Sequence, residues 1–208
     1  MLVTHGDDES DDDIMIISGK NNTDGGEFKI MTGKNNVLDL GSIVNFENKT
    51  TTKTWYNNQT SVCNKIHGTD GSLFPPFVKK SSVFHIYNKD MCRSLPMEFN
   101  ETVTHFNMET YRFIPSKTAF SSRDSPCYCP PDVTTCAPEG TFNVSACHGG
   151  SPMLLSWPHF YNADPDLVDN VDGLSPERSK HEFQIDILPQ LGVGLRAAAR
   201  LQINIFIE

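Results

Sequence analysis

The stretch Phe183-Gln184-Ile185-Asp186-Ile187-Leu188-Pro189-Gln190-Leu191-Gly192-Val193-Gly194 runs on into Leu195-Arg196-Ala197-Ala198-Ala199-Arg200-Leu201-Gln202-Ile203-Asn204-Ile205-Phe206-Ile207. It reads as two strands about a turn. Phe183, Ile185 and Ile187 point one way and Gln184 and Asp186 the other, the period of two that a half-buried strand imposes. Gly192-Val193-Gly194 makes the turn. Beyond it Leu195, Ala197, Ala199, Leu201, Ile203, Ile205 and Ile207 share one face. Alanine and arginine over 195–200 favour a helix, but alternation that continues to Ile207 favours strand. The pair predicts a long antiparallel hairpin over 183–207 with one buried face.

Working outward, the same pattern recurs in shorter pieces. Residues 111–114 stop at Pro115 and 153–157 stop at Pro158; Phe28 and Ile30 follow the turn signal Asp24-Gly25-Gly26, and 43–46 reads as the next strand. Residues 47–62 are polar and read as an exposed loop. In Phe74-Pro75-Pro76-Phe77 the prolines fix a turn and the phenylalanines pack inward. The 208 residues, 38% hydrophobic with 13 prolines and 14 glycines, fit a loop-rich chain with a real core and exclude wholesale disorder. The fold class is mainly β with short helices (α+β). The net charge of −9 belongs largely to Asp7, Asp8, Glu9, Asp11, Asp12 and Asp13; without them 20 acidic residues face 17 basic ones. Residues 1–17 therefore read as an acidic, disordered terminus. No Lys/Arg cluster is present to neutralise phosphates, which disfavours nucleic acid as a partner.

Six cysteines fall at 63, 92, 127, 129, 136 and 147, and five N-x-Ser/Thr sequons begin at Asn21, Asn48, Asn58, Asn100 and Asn143. The sequons number about twice what chance placement gives. Together they indicate an oxidising, secretory environment. Zinc is the competing reading, with His148 beside Cys147, but C-x-C alone is a weak knuckle. Six cysteines allow 15 connectivities. A local Cys129–Cys136 bridge is attractive because Pro130 and Pro131 stiffen its loop, and loop entropy makes it worth about 2.5 kcal/mol. No run near either end is long and apolar enough to target or span a bilayer. A chain with extracellular chemistry and no such segment reads as a piece of something longer.

Other chemistries fail on spacing. Ser151 or Ser156 with His159 and Asp164 would make a hydrolase trio, yet no G-x-S-x-G elbow is present. Asp164, Asp166, Asp169 and Asp172 invite calcium, but an EF-hand frame starting at Asp164 puts Val168 and Asp169 where an oxygen ligand and glycine belong. The expectation is no enzyme, no metal and no cofactor.

Several segments in fixed order resemble the class B scavenger receptors. They are Cys63-Asn64-Lys65-Ile66-His67-Gly68-Thr69-Asp70-Gly71 with Phe74-Pro75-Pro76-Phe77, then Cys92-Arg93-Ser94, Tyr111-Arg112-Phe113, Cys127 with Cys129, and Phe142-Asn143-Val144-Ser145 before Cys147. Pro158-His159-Phe160, Gly173-Leu174-Ser175-Pro176, Asp186-Ile187-Leu188-Pro189 and Arg200-Leu201-Gln202-Ile203-Asn204 follow. The resemblance covers about residues 18–208. It implies part of an extracellular or lumenal ectodomain on an antiparallel β-barrel core, incomplete in this segment, with a disulfide region at 63–147 and the hairpin at 183–207. It implies the bridges Cys63–Cys127, Cys92–Cys147 and Cys129–Cys136, and membrane anchors that this segment lacks. The implied partners are fatty acids, sterols, lipoproteins or hydrophobic odorants, carried through a tunnel at the plasma membrane or, alternatively, the lysosomal membrane. A small secreted disulfide-stabilised ligand-binding glycoprotein is the alternative.

Overall fold

The computed structural model describes residues 25–56, 62–129 and 136–206; the acidic terminus and the sequons at Asn21 and Asn58 lie outside them. The chain first forms β1 (Phe28–Ile30) and β2 (Ile43–Phe46), an antiparallel pair. Next come β3 (Val83–Asn88), β4 (Arg93–His105) and β5 (Met108–Pro115), a meander. A long excursion then carries β6 (Thr141–Asn143), β7 (Met153–Ser156), α1 (Pro165–Asp169) and α2 (Arg178–His181). The chain returns as β8 (Gln184–Leu188) beside β5, turns into β9 (Val193–Ala198), and ends in β10 (Gln202–Ile205). Every pairing between these strands is antiparallel. The five-stranded sheet has the order β3-β4-β5-β8-β9 and the three-stranded one β10-β7-β6. The architecture is mostly β, with few short helices and a main sheet curled like half a barrel.

Local sequence explains the joints. The β4–β5 turn is Phe106-Asn107, both at positive φ (51° and 61°), the geometry that matches the twist of a two-residue hairpin. Phe106 stands 86% exposed at its tip. Midway along β4 the register slips between Phe99 and Glu101, so Asn100 bulges out and the long strand bends. Gly192, at φ 70°, closes the β8–β9 turn against Phe74; a Cβ there would collide with the Phe74 carbonyl oxygen. The Gly192 carbonyl in turn accepts from the Phe74 amide at 2.9 Å.

Phe74, Met97, Phe113 and Ile187 lie at the centre of the core, each 0–1% exposed. Burial of one such side chain contributes about 2–3 kcal/mol. Between the sheets, Phe120 stacks on Trp157 (4.5 Å between centroids) and on Phe142 (5.7 Å), while Trp55 meets Tyr128 edge-on at 4.9 Å. Disulfides frame this cluster. Cys63 is joined to Cys127 (Cα–Cα 6.2 Å), Cys92 to Cys147 (5.9 Å) and Cys129 to Cys136 (5.3 Å).

Four expectations need correction. The long second arm of the hairpin is interrupted: β9 stops at Ala198, and after Arg200 the chain crosses to the other sheet, where β10 pairs with β7. The turn glycines sit one step later than their roles suggested, with Val193 already paired to Leu188. Of the two phenylalanines around the prolines only Phe74 packs; Phe77 takes φ 61° and is 66% exposed. The polar 47–62 segment contributes Trp55 to the core, its indole nitrogen donating to the Cys92 carbonyl at 2.7 Å.

Candidate functional site

β10 is inverted relative to the usual strand. Ile203 and Ile205 face outward, with Leu201 just before them and Phe206 just after, all between 37% and 47% exposed. Gln202 and Asn204 face inward. A polar residue turned inward must find partners, and these do. The Gln202 side-chain carbonyl accepts from the His159 amide at 2.8 Å, and its NH₂ donates to Asn204 Oδ1 at 2.6 Å. Asn204 Nδ2 donates to the Leu154 carbonyl (3.2 Å) and to Ser156 Oγ (3.1 Å). Within β10 the face expected to be buried is thus the exposed one; a register shifted by one residue exchanges the two faces of a strand. Ile207 lies outside the described residues.

Two recesses lined by described residues each hold about one water molecule, whereas an enclosed site for a drug-sized ligand needs hundreds of Å³. Neither recess has the size of the tunnel the resemblance implies; the open feature of this face is the apolar row.

Beside the row, charge is spent on positioning. Asp186, opposite Arg112 in the β5–β8 register, is fully buried rather than solvent-facing. Arg112 grips it with Nε at 2.7 Å and Nη2 at 2.9 Å, and His105 Nε2 lies 2.6 Å from its second oxygen. Burial alone would raise the Asp186 carboxyl, but the hydrogen bonds and charges of Arg112 and His105 outweigh it and hold it below the ordinary range. The bulge at Asn100 sets Glu101 within 3.4 Å of Arg112. Arg178 of α2 joins Glu101 (2.9 Å) to Glu182 (3.1 Å), and the Glu182 backbone carbonyl accepts from Arg200 at 2.6 Å. The network ties β4, β5, α2, β8 and the chain entering β10 into one frame.

The hydrolase trio is not assembled. Ser156 Oγ, wholly buried, accepts from Asn204, and His159 Nδ1 accepts from the Ser175 amide at 3.1 Å. Ser151 Oγ donates to the His148 carbonyl, and Asp164 caps α1 by accepting from the Asp166 amide. His159 instead stacks on His181, 4.4 Å between centroids and 11° between planes. Among the described residues no three His, Cys, Asp or Glu side chains are placed to hold a metal ion. Asp166, Asp169 and Asp172 lie on or beside α1 as surface residues. Of the sequon asparagines, Asn48 is exposed at a turn, Asn100 is the bulged residue, and Asn143 lies on β6 with its Oδ1 accepting from the Ser145 amide.

Sequence reasoning missed the Asp186 frame, the histidine stack and the inward-facing amides of β10. A lone aspartate flanked by isoleucines was the available signal for the first.

The CD36 family model matches residues 1–208. Human lysosome membrane protein 2 is 35% identical over 190 residues, covering 91% of this chain and 39% of the relative. Scavenger receptor class B member 1 of Cricetulus griseus is 32% identical over 207 residues (94% and 39%), and protein peste of Drosophila melanogaster 32% over 187 (88% and 33%). The chain thus spans less than two-fifths of the length of these relatives. Among the described residues no helix is long and apolar enough to cross a membrane.

Proposed function

The chain belongs to the CD36 family, and from that premise we propose that it is part of a receptor ectodomain that binds and moves lipids or lipoprotein cargo. The receptor is anchored by segments outside this chain and displays the ectodomain at the cell surface or in the lysosomal lumen. The names of two relatives, a scavenger receptor and a lysosome membrane protein, supply those two addresses. Three cystines support a compartment outside the cytosol, and N-glycans at Asn21, Asn48, Asn58, Asn100 and Asn143 belong to the same reading. The protein binds rather than catalyses; the separate engagements of Ser156, His159 and Asp164 support that.

The observation that carries the proposal is the outward row Leu201, Ile203, Ile205. A strand that turns its amides inward and its aliphatic side chains outward is built to meet an apolar neighbour. That neighbour is the lipid-lined interior of the complete ectodomain. Photo-crosslinking of the full-length protein with a diazirine fatty acid or sterol tests this. Crosslinks competed by unlabelled lipid are expected on peptides from 193–206. Competed crosslinks elsewhere only would remove the row from the lipid path, and no competed crosslink at all would remove lipid as the cargo.

A further inference from the structure

Arg93, the first residue of β4, is a buried cation, 4% exposed, with no carboxylate partner among the described residues. Its guanidinium carbon lies 4.1 Å from the Tyr128 ring centroid and 4.5 Å from that of Phe142. Its Nε has no hydrogen-bond partner. Ring faces offset part of the cost of burying a guanidinium, but an arginine cannot shed its proton to escape the rest. Burial pulls Arg93 down from its ordinary value, with Tyr128 opposing.

A recess with room for about one water-sized particle opens beside this cation. Ser121, Ser122 and Ser125 line it together with Arg93, Phe120 and Asn143. Glu139, whose carboxylate is bonded to Ser122 Oγ (3.0 Å), is also engaged by Arg123 at 3.3 Å. The wall therefore combines a guanidinium that hydrogen-bonds the neutral Tyr128 but has no carboxylate partner among the described residues, the hydroxyls of Ser121 and Ser125, and aromatic edges. Those are the parts of a site for a small anion, because hydrogen bonds to a charged partner in a desolvated place are the strong ones.

We propose that this recess binds a small monovalent anion, a halide or one oxygen of a carboxylate, against the Arg93 guanidinium. Occupancy completes the charge balance of the aromatic cluster beneath the disulfides. The site is independent of the apolar row on β10 and does not rest on the lipid reading.

Chloride-35 line broadening on the oxidised, intact chain tests the proposal directly. Excess broadening is expected, displaced by formate and by decanoate alike. Displacement by decanoate alone would also support the site and assign the anion to the head of an amphiphile. Arg93→Gln should abolish the excess. Because that variant could fail to fold, Ser125→Val provides the second arm: it closes the rim without touching Arg93 and should likewise remove the signal. Broadening that survives Ser125→Val, that neither carboxylate displaces, or that is absent from the wild-type chain overturns the proposal.

Discussion

β8 and β10 alternate with the same period and nearly the same composition, yet they face opposite ways. β8 buries Ile185 and Ile187 and, against the pattern, buries Asp186 as well. β10 shows Ile203 and Ile205 to the outside and draws Gln202 and Asn204 inward. The difference lies in what each strand finds behind it. β8 enters between β5 and β9, where Phe113 and Arg112 present an apolar ring and a cation. β10 meets β7 at the sheet edge, where the Leu154 carbonyl, Ser156 Oγ and the His159 amide present unspent hydrogen-bonding groups. Alternation identifies a strand; the neighbours decide its facing.

The largest effect expected is on disulfide reduction, since loss of a native cystine in a small secreted domain costs about 2–5 kcal/mol. Hydrogen exchange on the reduced chain should show β6 and β7 losing protection before β8 and β9. β10 should follow β7, its hydrogen-bonded partner, and not the β9 strand it adjoins in sequence. Equal loss across all five strands would break the comparison, because the ribbon and the stapled region would then be one cooperative unit.

Next in size is Asp186→Asn. Removing one partner of a buried pair leaves the other charge uncompensated, and about 3 kcal/mol of stability should go, read by urea unfolding. The same group sets an acid limit. Its folded value lies below its unfolded one, so its contribution is complete above the ordinary carboxylate range and is lost as pH falls through the lowered value. In Asp186→Asn that low-pH loss should flatten; an unchanged acid profile would show that the Arg112 and His105 contacts carry no net weight.

A smaller effect belongs to the stacked histidines. His159 Nδ1 accepts from the Ser175 amide and His181 Nδ1 from the Glu177 amide, so the neutral rings hold the segment leading into α2. Protonating His181 Nδ1 abolishes an acceptor and sets a positive charge against the second ring. Burial, then the neighbouring His159, lowers His181 from its ordinary 6.5. A depressed base favours the neutral folded form; its contribution is present above about pH 6.5 and fades as pH falls below it. A lower protection factor at the Glu177 amide, corrected for intrinsic exchange, is expected in mild acid, and His181→Phe should remove that pH dependence.

These contrasts also show what the sequence carried. The β class, β8 and the strands near 28–30, 43–46, 111–114 and 153–156 were legible because period-two alternation is local, whereas β3, β4 and β6 were not read. The resemblance implied the cystine pairs that the structure contains, although spacing alone left 15 choices open. The facing of β10 was not legible, because it depends on Leu154 and Ser156, some 50 residues away. Trp55 was hidden for the same reason: its surroundings are polar in sequence, and its burial is set by Tyr128 and Phe142. Arg93 reads as an ordinary motif residue until the two rings close over it.

The smallest effect is the one that separates exposure from function. In the 208-residue chain Ile203 is 37% exposed, so Ile203→Thr, which keeps the β-branch, should change unfolding stability by no more than about 1 kcal/mol. On the proposed function, the same substitution in the full-length protein should reduce capture of a fatty acid or sterol while leaving surface expression intact, because there the row would meet its apolar neighbour. A large stability loss in the short chain would mean that β10 packs its aliphatic face after all, and the contrast with β8 would vanish. Unchanged capture in the full-length protein would leave the inversion of β10 intact but would mean that its outward face does not touch the cargo.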